Sequence, residues 1–137
     1  MIISTIRPYY NTRSDNMANL IRVKVFPVGQ KPYWQTMENK LVEFQNLVGG
    51  WIEPIMLPHK DDEPAIVLLV NEEGKIIGLP GNLILADREG VTAFERRSDF
   101  LCGTVVACRA EGENFASLRK EDIPALCRWI GARGRLE

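Results

Sequence analysis

The chain has a single histidine, His59, and three cysteines, Cys102, Cys108 and Cys127, among 137 residues. One imidazole leaves one candidate for triad or acid-base chemistry, and its neighbourhood, PHKDDEP, brings carboxylates but no nucleophile. The four thiol and imidazole groups lack the short ligand spacings of a structural zinc site, so no metal and no cofactor is expected. Cys102 and Cys108 stand six residues apart in what reads as one strand, on the same face and about 20 Å from each other, too far to pair. Free thiols suit a reducing compartment. The longest apolar run is Ala65 to Val70, well short of the roughly 20 residues that span a membrane. The first segment, MIISTIRPYYNTRSDNMAN, has no long apolar stretch and is broken by Arg7 and Arg13, so a cytoplasmic location without export is expected. A net charge of −1 excludes both a DNA mimic and a strongly basic nucleic-acid binder.

What is present is periodicity. LIRVKVF (20–26) alternates Ile21, Val23 and Val25 with Arg22 and Lys24, the pattern of a strand with one buried face. Pro27, Gly29 and Pro32 punctuate a turn, and YWQTM (33–37) is read as a strand returning beside the first. Met37, Leu41, Phe44 and Val48 then fall at steps of four, three and four along one side of a helix, with Asn39 as its cap and Gly49 as its left-handed end. WIEPIML (51–57) reads as a strand whose Pro54 marks an edge or bulge, and AIVLLV (65–70) as a central strand. DFLCGTVVACRA (99–110) reads as one strand interrupted by Gly103. Glu121 and Asp122 before Pro124 signal a last helix, striped by Ile123, Leu126, Cys127 and Ile130 and stopped by Gly131.

The stretch NEEGKIIGLPGN (71–82) admits two readings. A phosphate-binding loop would place Gly-Lys-Ser/Thr at the mouth of a helix, whereas Lys75 precedes Ile76 and Ile77, and Glu72 and Glu73 would repel the anion. The sequence favours a turn at 71–74, a short strand at 75–78 and a second turn at 79–82. Asn82 is then a turn cap, or else an exposed amide able to read a ligand. Segment 83–97 is open between a short helix and an irregular loop, and it carries Arg88, Arg96 and Arg97, which either pair with Asp87, Glu89 and Glu95 or meet an anion. Asn82, Arg88, Arg96 and Arg97 are the candidate ligand-binding residues. Glu53, Asp61, Asp62 and Glu63 lack the alternating spacing of a calcium loop, and Trp34, Trp51 and Trp129 read as core or interface anchors.

From Ile21 to about Phe115 the sequence resembles the family known as domain of unknown function 3846, small proteins of bacteria and phages. Four features carry the resemblance in order: IRVKVFPVG, LVGGWIE, VLLVNEEGKIIGLPGN and CGTVVACRAEGENFASL. Leu79, Pro80 and Asn82 match residues common after the turn strand of that family, with Gly81 intervening. The resemblance implies an intracellular protein of a phage, plasmid or other mobile element, with no agreed activity.

These readings give a single α+β domain over 17–137, with a mostly antiparallel sheet and two helices packed on one face. Residues 1–16 are read as a poorly ordered N-terminal arm or an upstream extension of the start. The expected function is that of a non-enzymatic accessory protein that binds a partner protein or a small ligand. One alternative is a sponge for an anionic small molecule such as a signalling nucleotide, at a pocket that an oligomer could complete. The other is weak nucleic-acid binding through Arg22, Lys24, Arg128, Arg133 and Arg135.

Overall fold

A computed structural model of the chain describes residues 19–85 and 100–132. The alternating segment forms β1 (Leu20–Phe26) and pairs antiparallel with β2 (Tyr33–Glu38), Ile21 opposite Met37 and Val25 opposite Tyr33. Met37, with its side chain buried, thus belongs to a strand rather than to the helix stripe. Helix α1 (Leu41–Val48) starts two residues after Asn39, whose amide does not cap it but donates to the Phe115 carbonyl at 3.0 Å. At the other end Gly49 takes φ 80° and its N–H donates to the Gln45 carbonyl, the left-handed close that glycine permits.

β3 (Ile52–Met56) lies at the sheet edge beside β4 (Ile66–Asn71). Leu57 N–H donates to the Ile66 carbonyl at 2.9 Å and Glu72 N–H to the Trp51 carbonyl at 2.8 Å. Antiparallel bonding alternates, so odd positions of β3 face β4 and Pro54 faces outward, where its missing N–H removes no ladder bond. The edge reading of Pro54 holds for that reason.

β7 (Val105–Glu111) fills the centre, pairing with β4 on one side and with β1 and the short β8 (Asn114–Ala116) on the other. The large sheet runs β2-β1-β7-β4-β3, and every pair described in it is antiparallel. The stretch read as one strand over 99–110 is two: β6 (Phe100–Cys102) leaves for a second sheet, β6-β5-β9, with β5 at Gly81–Leu85 and β9 at Ile130–Ala132. The break is at Gly103, where φ is +80° and an added Cβ would lie 2.7 Å from the Leu79 side chain. Cys102 and Cys108 therefore belong to different sheets, both buried, and burial pushes the Cys108 thiol well above its ordinary range. The last described helix ends at Trp129, just ahead of Gly131, which itself lies within β9.

The fold is α+β with a mostly antiparallel sheet, and the two helices among the described residues lie on opposite faces rather than together on one. On one face, Val23, Val25, Val67, Leu69 and Val106 pack under Phe44 and Val48 of α1. On the other, Phe26, Ile66, Leu68, Val105 and Ala107 pack under Leu126 of helix α2 (Ile123–Trp129) and under Leu83, Leu101 and Ile130 of the small sheet. β4 has no polar alternation within its apolar run because both its faces are covered. A single layer of helices would have left one of them wet.

The stretch 71–82 is neither phosphate loop nor hairpin. Residues 72–78 form one compact turn, in which Ile77 N–H donates to Glu73 (2.9 Å) and Leu79 N–H to Gly74 (2.8 Å). Asn71 anchors it: its Nδ2 donates to the Val48 carbonyl at 3.2 Å and its Oδ1 accepts from Glu73 N–H at 2.8 Å. Ile76 and Ile77, read as strand residues, are 84 % and 56 % exposed because no strand pairs with them here. Gly81 and Asn82 open β5 instead of closing a turn. Among the described residues no helix is long and apolar enough to cross a membrane.

Candidate binding cleft

Strand periodicity turns Val105 and Ala107 to the α2 face, and Arg109 follows on that face beside its cross-strand neighbour Ile66. A guanidinium over an apolar sheet needs a partner, and Asp122 provides it from the short 3₁₀ turn Lys120–Asp122 that leads into α2. Arg109 Nε and Nη2 donate to the two carboxylate oxygens at 2.7 Å each. Asp122 Oδ2 also accepts the Arg119 N–H at 2.9 Å. Asp122 is buried and the Arg109 side chain is 15 % exposed, so a part-buried pair ties the start of α2 to the centre of the sheet.

The pair sets both charges firmly. Hydrogen bonding to Asp122 holds Arg109 above its ordinary range against the opposing effect of burial. Burial alone would raise the Asp122 carboxyl, but the bonds from Arg109 and from the Arg119 main chain outweigh it and leave it below the usual carboxylate range.

Asp122, Ala125 and Trp129 fall at steps of three and four on one side of α2 and face the loop between β3 and β4. Between them is a cleft of about 250 Å³. Leu57, Ile66 and the Arg109–Asp122 pair line its depth, and His59, Glu63 and Arg128 stand around it. The loop side is shaped by local bonds: His59 Nδ1 lies 3.0 Å from the Lys60 carbonyl oxygen, and Glu63 Oε1 accepts the Lys60 N–H at 2.9 Å. His59 is exposed, as a loop histidine was expected to be, yet it borders a concave surface that its immediate sequence does not announce. A smaller hollow of about 160 Å³ lies between β3 and the 72–78 turn, lined by Glu53, Asn71, Glu72, Lys75 and Phe100. Lys75 places its ammonium 5.3 Å from the Phe100 ring centre there.

Of the sequence-derived candidates only Asn82 is among the described residues, and it does not line the larger cleft. Asn82 sits at the start of β5, where Nδ2 donates to the Phe26 carbonyl at 2.7 Å and to the Gly103 carbonyl at 2.8 Å. Its amide thereby clasps the small sheet to β1, using both donors. Asn82→Ala should cost about 1–3 kcal/mol by leaving two carbonyls short of a donor, read as a lower urea midpoint at unchanged slope. Arg88, Arg96 and Arg97 lie outside the described residues, as do residues 1–16, Arg133 and Arg135. Of the cations proposed for nucleic acid, Arg22 and Lys24 both stack on Trp34, at 4.4 and 5.1 Å from its ring centre, while Arg128 borders the cleft. Trp51 is exposed at 66 % and Trp129 is half-buried in the cleft wall.

Sequence reasoning passed over Arg109 and took Asp122 only as a helix-start signal. The signal was present in Val105, Ala107 and Arg109, an inward-facing alternation that ends on a charge.

A family model described as "Domain of unknown function (DUF3846)" matches residues 21–130. The chain belongs to the DUF3846 family. The match takes in the cleft from Leu57 to Trp129, so the ion pair, the loop and α2 all lie within the DUF3846 region. No curated protein and no solved structure matches the chain.

Proposed function

We propose that this DUF3846 protein is a non-enzymatic binding module, acting in the cytoplasm as an accessory protein of a phage or mobile element, and that it binds its partner in the cleft between the β3–β4 loop and α2. The cellular setting follows the family resemblance. The observation that carries the binding role is the part-buried Arg109–Asp122 pair in the lining of that cleft: a preformed polar element among Leu57, Ile66, Ala125 and Trp129. The same pair argues against acid-base catalysis. A catalytic group works best with a pKa near the ambient pH, whereas Asp122 is driven down and Arg109 up, both away from neutrality.

The test is to fill the cleft from its exposed rim. Wild-type protein and a His59→Trp variant, both purified from the native host, are compared by native mass spectrometry. The expected result is an adduct mass on the wild type that is missing from the variant, with matching circular-dichroism melts. An adduct kept in full by His59→Trp would place binding elsewhere.

A further inference from the structure

We propose that the cleft takes a neutral, extended piece of polypeptide from a partner protein, laying one apolar side chain against Ala125 and Trp129 and offering a main-chain carbonyl to Arg109. This rests on the reading of the cleft as the binding site and specifies its ligand.

Three observations lead there. The first is the donor inventory. Arg109 uses Nε and Nη2 on Asp122, and its Nη1 bonds to nothing among the described residues. The Arg128 guanidinium and the Trp129 indole N–H are likewise without an acceptor among the described residues, while Glu63 and Glu121 add carboxylate acceptors, so the walls can meet both the C=O and the N–H of a peptide group. An Nη1 donor on a side chain only 15 % exposed gains most from such a partner.

The second is charge. Asp122, Glu63 and Glu121 face Arg109 and Arg128, so with His59 neutral the lining carries one negative charge in excess. An anion would meet that excess, and Asp122 already holds the best-placed cation. A peptide carbonyl is an acceptor without charge.

The third is size. At about 250 Å³ the cleft falls below the roughly 300–1,000 Å³ of small-molecule pockets, which suits one side chain and its peptide group better than a nucleotide. Nucleic acid is disfavoured on charge and size together.

The experiment is an NMR titration of the full ¹⁵N-labelled chain with N-acetyl-leucine amide and, separately, with N-acetyl-leucine, which differs by a carboxylate at neutral pH. The amide should shift the Trp129 indole N–H and the Ala125 amide saturably, and the acid should bind about fivefold more weakly. In a Glu63→Gln/Glu121→Gln double variant the lining changes from one negative to one positive charge in excess, and the preference should turn toward the acid. Acid binding as tight as amide in the wild type would overturn the neutral-peptide assignment while leaving the cleft as a site. An absence of shifts at the cleft with either probe would overturn the assignment too, and the His59→Trp comparison then decides separately whether the cleft binds anything.

Discussion

Replacing Asp122 with alanine should destabilise the protein by up to about 3–5 kcal/mol, the ceiling set by stranding a wholly buried charge, since the guanidinium left without its partner is part-buried. Arg109 has its side chain 15 % exposed and cannot hydrate fully without moving, and the Arg119 N–H loses its acceptor at the same time. Urea unfolding followed by circular dichroism measures the loss. A second variant, Arg109→Met/Asp122→Leu, should recover much of the lost stability, because two apolar side chains leave no stranded charge. If the single and double variants were equally destabilised, the stranded charge would not be the cause.

The same pair dictates an acid limb. Asp122 has its folded-state pKa lowered, so its contribution is fully present above the unfolded carboxylate value of about 3.9 and is lost as pH falls through the folded value below it. Asp122→Asn should therefore lie furthest from the wild type at neutral pH and converge with it in acid. A gap in urea midpoint that stayed constant from neutral pH to about pH 2.5 would contradict this.

Phe44→Ala should cost about 3–5 kcal/mol through a cavity under α1. Phe44 is fully buried and meets Phe115 edge-on, with ring centres 4.9 Å apart at 63°. This damage falls on the sheet face opposite the cleft. Under conditions where Phe44→Ala remains folded, its titration with N-acetyl-leucine amide should shift the Trp129 indole as in the wild type. A loss below about 1 kcal/mol in unfolding free energy would show that the site collapses around the missing ring.

The elements written in local periodicity were readable: β1 from its alternation, α1 from Leu41, Phe44 and Val48, and β4 from its apolar run. Gly103 was visible as an interruption, but whether a glycine kinks one strand or sends its halves to two sheets depends on partners far along the chain. Ile76 and Ile77 show the converse error. Their branched side chains suit a strand, yet a strand needs a neighbour to bond, and the backbone satisfied itself in a turn. The cleft was the least legible part. It joins residues 57–66, Arg109 and 121–129, and its central pair spans thirteen residues through an intervening strand and loop. Asp122 was recognised as a helix-start signal, which it is in part, while its bond to Arg109 depends on the position of β7.

The most direct measurement of the central claim is amide hydrogen–deuterium exchange on protein purified from its native host, before and after bound material is removed by unfolding and refolding. Binding in the cleft predicts that removal speeds exchange at residues 57–66 and 123–129, with residues 72–78 and 41–48 unchanged. A change centred on the 72–78 turn and Phe100, or none at the cleft despite release of bound material, would contradict it.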